Sequence, residues 1–354
     1  MNNEAFRPTV AIPPGVSIAE ILRHRSVSTA DFADHMQFSM SDVKRLLAGE
    51  IRLNYQLAER LHNIVGGTTS FWLTREANYR DHQARIADER EWLKEIPAAE
   101  IAAQGWIDKP KYRSEFVESC LSFFGVRSTD EWRDKYSGLG QASAYRTSPK
   151  FASADGPVAA WFRQGELVAA SIECKPWSAR RFREQLAQIR GLSRERNPSV
   201  FLEELTRLCA ECGVAVAVVK APSGCRHSGM TRFLTTDKAM LLLSFRYLSD
   251  DHFWFTFFHE AGHLLLHSHE LLFIEGPNTI ENQQEEEANR FSSSILIPDV
   301  FRAEFDGLTA NRWEIVRFAR KLGIAPGIVV GQLQHLGRLQ RFQMNRLKRR
   351  YTWE

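Results

Sequence analysis

Two histidines and a glutamate stand close together in the segment His259-Glu260-Ala261-Gly262-His263, inside a strongly apolar run. On a helix, residues i and i+4 stand one above the other on one face, so both imidazoles can reach a single zinc ion. Glu260 is then placed to take a proton from a water activated by that ion, which is the chemistry of a metallopeptidase. Catalytic zinc also needs a third protein ligand and one open position. His269 stands at the third histidine of the HExxHxxGxxH pattern, but Leu266 stands at that pattern's glycine, and leucine disfavours the positive φ of the turn there. The better candidate is Glu285, in the run Glu285-Glu286-Glu287-Ala288-Asn289-Arg290-Phe291. Asn289 lies one turn further along the same face, placed to hydrogen-bond a ligand histidine from behind. Glu287 is the fallback ligand.

These residues need two helices to hold them. The first is expected to start at Asp250 or Asp251, either of which can cap it, and to run through the aromatics Phe253 to Phe258 and on to Leu266. It is apolar on most sides and so belongs at the centre of a domain. The second carries an apolar stripe of Ala288, Phe291 and Ile295 and ends before Pro298. Upstream, Phe201–Cys212 reads as a helix stopped by Gly213. Val214–Val219, Thr231–Leu234 and Met240–Ser244 read as strands. A helix, a small sheet and then the histidine helix is the arrangement expected of a zincin domain, whose edge strand can take up an extended peptide. Residues 81–195 read as a helical connector, including Ala84–Leu93, Lys111–Phe124, Val158–Ala170 and Ala179–Leu192. Its flexible stretch is expected at Ser137–Ser143.

The first eighty residues read as short helices with capping chemistry. Ser17 with Glu20, Ser28 with Asp31 and Ser39 with Asp42 match the Ser-x-x-acid box, Asn54 caps a fourth helix, and Thr69 or Ser70 caps a fifth. Gly49 and Gly66-Gly67 fall where helices should stop. The pair Thr29–Gln37 and Met40–Ala48 has helix-turn-helix dimensions. In its second helix Val43, Leu46 and Leu47 face inward. Ser39, Ser41, Asp42, Lys44 and Arg45 are left as the candidate DNA contacts. Charge argues for restraint: residues 1–80 hold nine Lys/Arg against eight Asp/Glu, whereas a DNA-binding module usually has a basic footprint. A homodimer would double that footprint. The C-terminal cations Arg338, Arg341, Arg346, Lys348, Arg349 and Arg350 are either a second basic source or a solvated tail.

A chain of 354 residues has room for two or three domains, and 44% hydrophobic with 25% charged residues is ordinary for a globular protein. Net charge +3 favours no partner class. No run approaches a membrane span and Met1-Asn2-Asn3-Glu4 does not open a secretory signal, so a cytoplasmic location without membrane contact is expected. The five cysteines do not suggest a disulfide framework in a chain this long. Cys209, Cys212, Cys225 and His227 are poorly spaced for a second zinc site and read as buried, reduced thiols beside a histidine.

The stretch HEAGHLLLH followed by EEEANRFSSSILIP resembles the ImmA/IrrE family of bacterial zinc peptidases. The likeness extends over Ser228–Thr231, Leu243–Tyr247 and Ile324–Gly331. It implies His259, His263 and Glu285 as zinc ligands and Glu260 as catalytic base. Ser292-Ser293-Ser294 stand where that family usually has alanines. The N-terminal segment resembles phage-repressor-like helix-turn-helix domains, more closely the HigA type of antitoxin, through Leu53–Leu61, Gly67–Leu73 and Ala77-Asn78-Tyr79. Gln37 departs from the glycine usual in the turn, so either it takes the costly left-handed conformation or the turn differs slightly.

Together these readings give an α+β, mostly helical chain. Residues 1–80 are expected to form an all-α helix-turn-helix domain, 81–195 the helical connector, and 196–354 a zincin-like α+β domain with a small sheet. The implied function is a transcriptional regulator that binds a DNA operator and carries a zinc-dependent endopeptidase, whose substrate is a repressor or toxin–antitoxin partner. The rival is an antitoxin-like regulator whose zinc domain binds or senses a partner without cleaving it. A third reading has the N-terminal helices only recruiting substrate.

Overall fold

A computed structural model describes residues 8–108, 112–139, 155–267 and 279–353. The chain divides into two compact units, Met1–Lys94 with Tyr112–Val117, and Glu95–Lys111 with Glu118–Glu354.

The first unit is helical: α1 (Pro14–His24), α2 (Thr29–Met36), α3 (Met40–Leu47), α4 (Tyr55–Val65) and α5 (Thr69–Glu95). Three expected caps form. Ser28 and Ser39 each accept the N–H three residues on at 3.1 Å, and Asn54 accepts that of Leu57 at 2.9 Å. Two do not. α1 opens on Pro14, whose ring pre-sets the helical φ, so Ser17 lies inside the helix and accepts a bond from Arg75 Nη2 at 2.8 Å. The cap of α5 is Thr68, accepting from Phe71 N at 3.1 Å, one position before the expected pair. Gln37 takes the left-handed conformation at φ 53°. Ile18, Phe32, Met36, Leu46, Leu61 and Trp72 fill a core shared by these helices. The boundary expected at residue 80 falls inside α5, whose hydrogen-bonded backbone runs on without a break, and the unit extends to Lys94.

The second unit contains α6 (Ala98–Ala103), α8 (Thr129–Tyr136), α9 (Asp155–Ser171), α10 (Ala179–Gly191) and α11 (Pro198–Ala210). α7 (Arg113–Phe124) begins in the first unit and ends in this one. A three-stranded sheet follows: β1 (Val214–Val218), β2 (Gly229–Thr235) and β3 (Lys238–Leu243), in the order β1-β3-β2. β1 pairs with β3 in parallel, Val216 opposite Leu241, and β2 pairs with it antiparallel, Thr231 opposite Leu241. Then come α12 (Asp250–Leu266), α13 (Thr279–Leu296), α14 (Arg302–Asp306), α15 (Arg312–Leu322) and α16 (Pro326–His335). The architecture is thus α+β, mostly helical with a small sheet.

β3 is apolar on both faces because both are covered. Ala239, Leu241 and Leu243 share a core with Phe253, Phe257 and Phe258 of α12. On the other face Leu242 packs on α9, so closely that a Cβ on Gly165 would come within 2.7 Å of it. Trp161 of α9, fully buried, donates its indole N–H to Val219 O at 2.9 Å. Phe182, Leu186 and Ile189 of α10 enter the same core as α12. The segment expected to be a connector therefore builds much of the second unit, because the sheet needs cover on both faces. The expected flexible stretch lies outside the described residues from Gly140 onward.

The start of α12 also differs from expectation. Its N-cap is Ser249, without a side-chain bond. Asp250 Oδ1 instead accepts the N–H groups of Asp251 at 2.9 Å and of Arg349 at 3.1 Å. Lys348 Nζ sits 2.6 Å from Asp251 Oδ2, both side chains nearly buried. Arg349 Nη1 donates to Ser193 O and Glu195 O at 2.8 Å, and Arg338 Nη2 pairs with Asp306 at 3.3 Å. Those C-terminal cations are therefore occupied within the unit, which leaves less of the expected basic tail. Burial raises the Cys225 thiol to about 11 and that of Cys120 to about 12, and all five cysteines are free. No helix among the described residues is long and apolar enough to cross a membrane.

Candidate metal centre

α12 presents His259 and His263 one turn apart, and α13 crosses it to bring up Glu285. Gly262, between the two histidines, permits that crossing. A Cβ there would lie 3.0 Å from Phe291 Cδ1 and 3.3 Å from Ala288 Cα, so the two helices approach to backbone contact. Ser292, fully buried, holds the crossing by donating its hydroxyl to Phe255 O at 2.9 Å. Its hydroxyl thus adds an interhelical bond one turn before His259.

The three donors converge. His259 Nε2 and His263 Nε2 are 3.0 Å apart, and each lies 3.3 Å from one Glu285 oxygen. All three donor atoms fall within 4.8 Å of one another. A tetrahedral zinc ion with ligands at 2.0–2.1 Å requires donors about 3.3 Å apart, and two imidazoles with a carboxylate suit zinc chemically. The residues therefore fit the ion. Their side chains are mostly buried, the most exposed being Glu285 at 22%.

Behind the donors, Asn289 Oδ1 lies 3.0 Å from His259 Nδ1, where it accepts the imidazole N–H and leaves Nε2 free for the metal. Burial alone would lower the affinity of His259 for a proton. The hydrogen bond that its imidazolium donates to Glu285 and the charges of Glu260 and Glu285 outweigh it, and the net direction is upward. The acidic surroundings that favour the imidazolium equally favour a bound cation. Glu287, the fallback ligand, points away from the centre: its Oε2 lies 3.3 Å from His267 Nε2. His269 lies outside the described residues.

Glu260 is buried at 7% exposure and reaches toward the start of β2. A Cβ on Gly229 would come within 2.7 Å of Glu260 Oε1 and 2.5 Å of Thr256 Cγ2, so only glycine allows this approach. β2 is an edge strand whose residues are mostly half-exposed. Sequence reasoning missed both Gly229 and His267. Nothing local marks the glycine, but continuing the four-residue step from His259 and His263 leads directly to His267.

In the first unit, α3 leaves Ser39, Ser41, Lys44 and Arg45 exposed, with Asp42 half-buried. Ser39 and Asp42 are bonded to each other as a cap, Oγ to Oδ2 at 2.7 Å. Arg45 stands between Asp42 at 3.5 Å and Glu50 at 3.6 Å. Lys44 is thus the freest cation of the five expected contacts.

Residues 214–330 match the family model for M78 peptidases, described as the IrrE N-terminal-like domain. The match spans the sheet, α12 and α13, and thereby His259, Glu260, His263, Glu285 and Asn289. It supports a metallopeptidase domain there and lies wholly outside the N-terminal unit. No curated protein matches the chain.

Proposed function

We propose that the chain is a DNA-binding regulator of the helix-turn-helix type that carries a zinc-dependent endopeptidase. The observation that supports it best is the convergence of two Nε2 atoms and a carboxylate at 3.0–3.3 Å beside a buried, unligated glutamate. His259, His263 and Glu285 would hold the ion. Zinc, when bound, supplies a Lewis acid that polarises the scissile carbonyl and acidifies water. The chain's own residues do the rest. The edge of β2 that no other strand pairs with among the described residues would take up an extended peptide as a further strand, and Gly229 lets β2 pass beside Glu260. Glu260 takes the proton of the attacking water and delivers it to the leaving amine. Burial beneath the strand excludes bulk water from that carboxylate.

On this reading the substrate is a regulatory protein, a repressor or a toxin–antitoxin partner, and α3 presents Lys44 and Arg45 to an operator. A general base has no use in a domain that only binds, which weighs for cleavage over mere sensing. The test is metal content by mass spectrometry on wild type and Glu285→Ala, purified side by side. About one zinc per chain in wild type, sharply reduced in the variant, is expected. Wild type that takes up no zinc when metal is supplied contradicts the peptidase reading.

A further inference from the structure

We infer that His267 and Glu287 form a hydrogen-bonded relay that sets the tautomer and orientation of His263, which makes His267 a positioning residue for the metal centre. The inference rests on the zinc site proposed above. His263 directs Nε2 at the other donors, 3.0 Å from His259 Nε2. Its second nitrogen, Nδ1, lies 3.0 Å from Nδ1 of His267. The far nitrogen of His267, Nε2, lies 3.3 Å from Glu287 Oε2. A metal ligand must keep the lone pair on Nε2, so the His263 proton sits on Nδ1. The partner that it meets among the described residues is the Nδ1 lone pair of His267. That in turn places the His267 proton on Nε2, aimed at the Glu287 carboxylate, so each proton has one consistent position.

The same geometry excludes two simpler roles. His267 addresses the outer nitrogen of His263 and does not join the three donors. Glu287 is engaged by His267 and by Gln283 Nε2 at 3.0 Å. The two ligand histidines are therefore held differently. His259 is backed by a neutral amide, Asn289, and His263 by an imidazole with a carboxylate behind it, which makes its Nε2 the stronger donor. His267 closes α12 as its C-cap with a side chain only 8% exposed, which keeps water from replacing the contact.

The test compares zinc affinity, by competition with a chromophoric chelator, with the visible spectrum of the cobalt-substituted protein. It uses wild type, His267→Phe, His267→Asn and Glu287→Gln of the full chain. Phenylalanine keeps the bulk and removes the acceptor; asparagine restores an acceptor near the Nδ1 position. Expected are a loss of about 10–100-fold in zinc affinity with a shifted cobalt spectrum for His267→Phe. Substantial recovery of both is expected for His267→Asn, and a smaller loss for Glu287→Gln. Wild-type affinity and spectrum in His267→Phe would overturn the relay while leaving the metal site standing. Equal losses in His267→Phe and His267→Asn, with a lowered melting midpoint of the metal-free protein, would overturn it in favour of a packing role. Unchanged affinity in Glu287→Gln would remove the carboxylate from the relay. Wild type that binds no metal would overturn the site and the relay together.

Discussion

Glu260 is the residue on which the proposed chemistry turns. It lies between His259 and His263 in sequence, yet it is not one of the three clustered side chains and approaches Gly229 at the edge of the sheet. A carboxylate there can carry a proton without occupying the metal. Replacing it with glutamine keeps the shape and removes the base. Glu260→Gln is expected to retain zinc while slowing cleavage by about 10²–10⁴-fold, the usual contribution of a general base. Single-turnover cleavage of a substrate by variant and wild type checks this, and equal rates would remove Glu260 from the mechanism.

At the scale of elements, the turn between α2 and α3 combines a sound cap with a strained residue. Ser39 starts α3 well, but Gln37 just before it has φ 53° and ψ 43°. The conformation is useful: Gln37 N and Phe38 N bond back to Asp34 O at 3.1 Å and Ala33 O at 2.9 Å, closing the end of α2. For a residue with a Cβ it costs roughly 1–2 kcal/mol. Glycine avoids that strain but loses roughly 0.5–1 kcal/mol more entropy on folding. Because the Gln37 side chain is exposed, nothing else is lost. Gln37→Gly is expected to stabilise the first unit by up to about 1 kcal/mol, read as a raised midpoint in thermal or urea unfolding. A lowered midpoint would mean that the side chain makes a contact of its own. The crossing of α12 and α13 follows similar logic, since Gly262 supplies the clearance and Ser292 the bond.

Across the whole molecule, charge is used differently in the two units. In the second, Asp250 is buried at the start of α12, and this raises its carboxyl to about 6 against the stabilising hydrogen bond from Arg349, with Asp251 adding repulsion. The folded chain thus holds that proton more tightly than the unfolded chain does. The stability it contributes is full below about pH 4 and is lost as pH rises through about 6. At 1.36 kcal/mol per pKa unit the loss is about 2–3 kcal/mol. Asparagine can accept the same two N–H bonds without a charge. Stability measured by urea unfolding of Asp250→Asn relative to wild type should therefore increase between about pH 4.5 and pH 7; a difference independent of pH would contradict the assignment. In the first unit, the proposed operator contacts rest on few cations. Lys44→Ala with Arg45→Ala is expected to weaken binding of the full chain to DNA and to reduce its salt slope by up to about two. The effect of Arg45 should be the smaller, since Asp42 and Glu50 already hold it. Binding with an unchanged slope would place the DNA interface elsewhere.

The sequence by itself determined whatever depends on near neighbours along the chain. The four-residue step from His259 to His263, the caps at Ser28, Ser39 and Asn54, the glycine stops and the three apolar strands are all local patterns, set by helix and strand periodicity. The Glu285 and Asn289 pairing was legible for the same reason: one turn separates them. Only the tertiary structure decided which of three consecutive glutamates meets the histidines, because that depends on how α13 lies across α12. It alone turned Glu287 toward His267, set Gly229 beside Glu260 and brought Lys348 and Arg349 to the start of α12. It also showed that α9 and α10 cover the sheet and are no mere connector. Each of these joins residues far apart in the chain through close packing, where a methyl group of clearance decides the contact, and no local period encodes that distance.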